Sequence, residues 1–174
     1  MSRYYIAALL LFLLVFEGTI VPNAVTSFLQ LDVTMVPRFL IVLIVFTGIY
    51  LGRMQSFVHG LIFGFIYDIV YTEFLGIYAF GFAFIGYAFA FSTKRIQDSL
   101  LVTIILACVA VIFFEYYQYS ILQMLGVTDW SGMKFAERRL LPTVIFNGAF
   151  AILALYPVRK LMNHMNRQAD LRRR

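Results

Sequence analysis

The sequence predicts an all-α, polytopic membrane protein: six transmembrane helices in one bundle, with both termini on the cytoplasmic side. Three observations predict it. Apolar residues make up 62% of the chain and charged residues 13%, where a soluble domain carries roughly half and about a quarter. The apolar residues gather into runs of the length that an about 30 Å hydrocarbon core demands of a helix. The basic residues fall mostly between alternate runs, as the positive-inside rule requires. Six such runs in 174 residues leave no room for a separate soluble domain. Residues 1–158 are therefore read as one membrane domain, and residues 159–174 as a basic amphipathic cytoplasmic tail.

The first run, Tyr4 to Val21, follows Arg3, lacks a small-residue cleavage site and carries Glu17 late, so it reads as a retained helix and not a signal peptide. The loop Pro22 to Met35 has no Lys or Arg and belongs outside. A second run, Val36 to Gly52, ends at Arg53, which belongs inside. The third, Phe57 to Thr72, runs outward and is short, about 24 Å at ~1.5 Å per residue. The fourth, Phe74 to Phe91, returns to Lys94 and Arg95. The fifth, Leu100 to Leu125, is about 39 Å long and must tilt or protrude; Tyr116, Tyr117, Tyr119 and Trp130 mark its outer end at headgroup level. An outer segment, Gly126 to Glu137, leads to the sixth run, Leu140 to Val158. Arg3, Arg53, Lys94, Arg95, Arg159, Lys160, Arg167, Arg172, Arg173 and Arg174 then lie inside, against Arg38, Lys134, Arg138 and Arg139 outside, ten to four of the 14 basic residues. That bias accounts for the net charge of +5 without invoking nucleic acid.

Small residues and acids share faces. Gly60 and Gly64 stand four apart, and Asp68 extends their stripe by one more turn, a face on which another backbone approaches closely. After the turn Thr72 to Leu75 the returning helix opens with Gly76 and passes Phe80 and Gly81; all five apolar positions, Gly60, Gly64, Gly76, Phe80 and Gly81, are expected at helix–helix contacts. Glu17, Asp68 and Glu115 fall in the outer half of their helices, and Arg38, Arg138 and Arg139, with Glu137 beside them, at the outer starts of the second and sixth. A charge near the bilayer centre costs about 2.5–3.5 kcal/mol, so these seven residues are expected to form an intramembrane ion-pair layer. Two other readings stay open: Glu17 and Asp68 snorkel to the headgroups, or the layer, with Tyr67, Tyr71 and Asn147, belongs to a proton or substrate pathway.

Catalytic, cofactor and metal sites are not expected. Cys108 is the single cysteine and lies in an apolar run, His59 and His164 sit on separate segments, and GxSxG, HExxH and Walker patterns are missing. In the tail, Val158, Leu161, Met162 and Met165 recur at helical spacing among Arg159, Lys160 and Arg167, an amphipathic pattern suited to anionic lipid or to a protein partner.

The order GxxxGFxxD at 60–68, LGxxxFG at 75–81, MVPRFL at 35–40 and ERRLLPTVIFN at 137–147 resembles the bacterial rod shape-determining membrane protein family MreD over most of the chain. The resemblance implies a noncatalytic, cofactor-free, multi-pass subunit of the bacterial plasma membrane within the rod complex. Its direct partner would be MreC, with MreB, RodA and a class B penicillin-binding protein in the wider assembly. The motif positions carried over are Pro37, Arg38, Gly60, Gly64, Asp68, Gly76, Phe80, Glu137, Arg138 and Pro142; the doubled Arg138 and Arg139 leave open which is the family's basic residue. Six short helices also look similar to the substrate-binding membrane component of energy-coupling-factor vitamin transporters. Those components dock through small residues four apart on the first helix, and here Ala7 and Ala8 are followed by Leu11 and Phe12.

Overall fold

The computed structural model describes residues 2–20 and 33–173, with side chains for 5–19 and 33–165. Most of the loop at Pro22 to Met35, the side chains of Arg3, Arg167, Arg172 and Arg173, and Arg174 lie outside the described residues. Among the described residues all regular structure is helical. Helix α1 (Ser2–Val15) continues into a π turn, Phe16–Ile20. Then come α2 (Phe39–Leu51), α3 (Arg53–Tyr71), α4 (Ile77–Ala88), the short α5 (Lys94–Asp98) and α6 (Leu100–Met124). A single turn, α7 (Gly132–Phe135), leads through a second π turn, Ala136–Leu140, into α8 (Leu141–Arg173). Among the described residues three stretches are long and apolar enough to cross a membrane, Arg53–Tyr71, Leu100–Met124 and Gly132–Met165; Tyr5–Thr19, Phe39–Leu51 and Ile77–Ala88 are shorter apolar helices.

Helix α2 is the axis of the molecule. Its sequence, FLIVLIVFTGIYL, is apolar on every side, the pattern of a helix surrounded by protein. Every residue from Phe39 to Tyr50 is buried, with α1, α3, α4, α6 and α8 packed around it. Both ends are tied. Phe39 stacks on Phe150 of α8 with ring centroids 3.9 Å apart. At the far end Gln97 donates to the Ile49 carbonyl at 2.7 Å, and Ser56 donates to the Ile44 carbonyl at 2.6 Å.

Helices α3 and α4 form the closest pair. An added Cβ on Gly60 would meet the Phe82 carbonyl, one on Gly64 the Tyr78 carbonyl and Ala79 Cα, and one on Gly86 the Ser56 carbonyl. Two antiparallel backbones therefore touch along Ser56, Gly60 and Gly64, as close approach through small residues allows. Gly81 lies beneath the Phe114 and Tyr117 rings of α6.

Two expectations need correction, the packing of Gly76 and the length of the third helix. Gly76 has open space where a side chain would go; its role is conformational, since its φ of 102° begins α4 from the left-handed region. Phe80, 62% exposed, stacks on Phe84 and leans on Tyr117 of α6, so it meets that helix from the rim of the bundle. The third helix is not the short one, because Gly52 (φ 104°) makes the turn out of α2 by itself and α3 starts at Arg53; its 19 residues span about 28 Å. The short one is α4, with 12 residues and about 18 Å. The basic tail continues α8 as a helix, with Pro157 inside it, and the apolar positions Val158, Met162 and Met165 are buried against the rest of the chain.

Candidate functional site

The polar residues collect at the end of the bundle where α2, α4 and α8 begin. The chain approaches α2 in extended form beside the start of α8, and its backbone groups at alternate positions face that helix, the period-two pattern of an extended segment. Thr34 N donates to the Arg138 carbonyl at 2.8 Å and Val36 N to Thr143 Oγ1 at 3.1 Å. The Val36 carbonyl accepts from Asn147 Nδ2 at 2.9 Å, and Arg38 N donates to Asn147 Oδ1 at 2.7 Å. Both motif prolines suit this arrangement. Pro142 lacks the N–H that an α-helix returns to the carbonyl four residues earlier, and that carbonyl, Arg138 O, is the one Thr34 takes. Pro37 is buried at the intervening position, where it has no N–H to leave unsatisfied.

Arg38, directly before α2, is 1% exposed and ties the bundle together. Its Nε donates to Glu115 Oε1 of α6 at 2.6 Å, its Nη1 to the Tyr78 hydroxyl of α4 at 3.1 Å, and its Nη2 to Gln118 Oε1 of α6. The guanidinium lies 4.9 Å from the Phe114 ring centroid, a cation–π contact in a desolvated setting. The second oxygen of Glu115 accepts from Arg139 Nε at 2.8 Å, and Arg139 Nη2 reaches Gln118 Oε1 at 3.3 Å. Gln118 Nε2 donates to Tyr78 O–H at 2.8 Å. One carboxylate, fully buried, thus stands between two guanidinium groups, one buried and one 24% exposed.

The other two acids do different work. Asp68 is 0% exposed and closes the small-residue stripe of α3 by holding the first turn of α4. Its Oδ2 accepts from Gly76 N at 3.0 Å and Ala79 N at 2.9 Å, and its Oδ1 from Tyr78 N at 3.0 Å. A carboxylate suits these orphan donors and the positive end of the helix dipole. Glu17, 1% exposed, sits in the π turn that ends α1 and accepts from Leu40 N in the first turn of α2 at 3.0 Å through Oε2; its Oε1 is buried without a partner.

The seven residues expected in one ion-pair layer take different positions among the described contacts. Arg38, Glu115 and Arg139 come together as ion pairs. Glu17 and Asp68 hold helix starts instead, and their burial also excludes snorkelling. Glu137 is exposed on the π turn, and Arg138, exposed beside it, gives its backbone carbonyl to Thr34 N. Asn147, considered above for a pathway, has its amide oxygen and nitrogen committed to the Arg38 and Val36 backbone. Tyr78, Gln118 and Thr143 were not anticipated. Gln118 lies three residues after Glu115, and Thr143 lies four before Asn147, spacings that place each pair on one helical face. Buried polar groups at such spacing in apolar helices call for partners, which is the signal that could have found them.

His59 Nδ1 lies 2.6 Å from the Gln55 carbonyl one turn back on α3. Among the described residues no three metal-ligating side chains converge.

A family model described as rod shape-determining protein MreD matches residues 2–165. A relative named rod shape-determining protein MreD, from Bacillus subtilis (strain 168), is 32% identical over 128 residues, which cover 74% of this chain and 74% of the relative. No solved structure matches the chain.

Proposed function

The chain belongs to the MreD family of rod shape-determining membrane proteins, and from that premise we propose that it is a noncatalytic, multi-pass scaffold of the bacterial plasma membrane. It couples MreC, its direct partner, and the cell-wall synthases RodA and a class B penicillin-binding protein to the MreB cytoskeleton. The observation that carries the scaffold reading is Arg38. One buried guanidinium binds α4 and α6, while the backbone of the same residue binds α8. Polar groups used in this way hold helices in one arrangement, which is what a partner-recognition surface requires.

In this reading all six apolar helices cross the bilayer, with the Arg38 end facing outward and both termini in the cytoplasm, supported by the ten-to-four distribution of basic residues. The test is complementation in a rod-shaped bacterium depleted of its own family member, with crosslinking capture of MreC from the same cells. Restored rods with MreC captured is the expected result. Restored rods with no MreC captured would overturn the coupling, and round cells despite normal membrane insertion would overturn the function. Vitamin uptake conferred by the chain would instead support the transporter alternative.

A further inference from the structure

A groove runs between the start of α6 and the second half of α8, remote from the Arg38 cluster, and has a volume of 570 Å³, within the range of small-molecule sites. We propose that it is a binding site for one anionic phospholipid. Two observations carry this. The first is the order of chemistry along α8. Ile152, Tyr156, Lys160 and Asn163 follow at helical spacing on one face, with Arg159 beside them, all lining the groove. Read along the helix, that is an apolar wall, then an aromatic ring, then two cations and an amide. A phospholipid presents its parts in the same order: acyl chain, glycerol level, phosphate. Leu100 and Ile104, one turn apart on α6, supply the opposite apolar wall. Tyr156 is 75% exposed, as a tyrosine at headgroup level is.

The second observation is the sign of the charge. Among the described residues no acid lines the groove, so a phosphate meets Arg159 and Lys160, while the ammonium of a zwitterionic headgroup would be repelled. Asp98, outside the groove lining, is 79% exposed and 3.5 Å from Arg159 Nη2. An ion pair of that kind is weak, so Arg159 can exchange Asp98 for a phosphate. Basic pockets between membrane helices are recognised binders of such headgroups. A smaller cleft between α1, α2 and α8 has Leu13, Val42, Phe46 and Phe150 in its walls and no cation, and offers a headgroup nothing. The proposal does not depend on the rod-shape reading.

The test uses the full chain in nanodiscs and native mass spectrometry of the released complexes, with phosphatidylglycerol compared against phosphatidylcholine. Retention of phosphatidylglycerol about fivefold or more above phosphatidylcholine is expected, in line with the contribution of basic residues at a membrane surface. The double variant Arg159→Gln/Lys160→Gln should lose this preference, whereas Lys94→Gln/Arg95→Gln, removing the same charge from α5, should keep it. Ile104→Trp, which fills the groove without touching a charge, should lower retention of the lipid. Equal retention of both lipids by the unmodified chain, or equal losses in the two charge variants, would overturn the proposal. Displacement of the lipid by millimolar inorganic phosphate would also overturn it, since the site would then be one for a free anion.

Discussion

Arg38 and Glu115 are the residues whose loss the fold should feel most. Removing either partner of a buried ion pair leaves an uncompensated charge, at a cost of about 3–5 kcal/mol, so Arg38→Ala and Glu115→Ala are expected to lose that much in denaturant unfolding in mild detergent. Arg139→Ala should cost clearly less, because Arg139 is 24% exposed and Glu115 keeps Arg38. The acids that hold helix starts give a second prediction. Asp68→Asn turns one of two engaged oxygens into an NH₂ group facing N–H donors, a cost of about 1–3 kcal/mol. Glu17→Gln should cost less in the same assay, since only one of the two Glu17 oxygens has a partner. Equal effects would show that Glu17 is held by more than the Leu40 amide. The acids were visible in the sequence as costly residues in apolar runs, yet their partners were not. A backbone N–H looks alike at every position, so nothing in the sequence marks the first turns of α2 and α4 as their destinations.

For the elements, the α3–α4 pair is the sensitive joint, and its two kinds of glycine should respond differently. Gly64→Ala puts a Cβ into the Ala79 backbone and forces the helices apart, an overpacking cost of about 1–3 kcal/mol; Gly60→Leu and Gly64→Leu should prevent the pairing and reduce assembly with partners. Gly76→Ala has open space and pays only for its left-handed backbone, about 1–2 kcal/mol. Thermal unfolding of a Gly76→Asn variant separates the causes, because Asn tolerates that conformation and should recover part of the loss. The stripe through Gly60, Gly64 and Asp68 was legible because residues four apart share a helical face. Phe80 reaches Tyr117 of α6 only from the rim, because it is adjacent to the inward-facing Gly81 and neighbours on a helix point about 100° apart.

Across the whole molecule, the topology proposed above predicts reporter activity. Fusions after Arg53, after Arg95 and at the C-terminus should report cytoplasm, and one within Gly126 to Lys134 should report the outside. A single contrary fusion breaks the six-span arrangement. The central place of α2 went unnoticed in the sequence, although its all-round apolar character was plain. In a membrane protein such a helix faces lipid as readily as protein, since lipid tails are as apolar as leucine, and only the packing of α1, α3, α4, α6 and α8 around it distinguishes the two.

What the sequence determined by itself is the membrane class, the succession of apolar helices, their resemblance to a rod-shape family and the closeness of α3 to α4. Each depends on local quantities, the transfer energy of a segment or the spacing of small residues, that add up along the chain without reference to anything distant. The tertiary structure alone decided the fate of the charges. Depth and sign suggested three acids and three arginines at one level. The lateral order of the helices then brought Glu115 to Arg38 and Arg139, and left Glu17 and Asp68 beside the unpaired amides that begin α2 and α4. Side-by-side placement is a property of the whole bundle, and opposite charges find each other only where it sets them within reach.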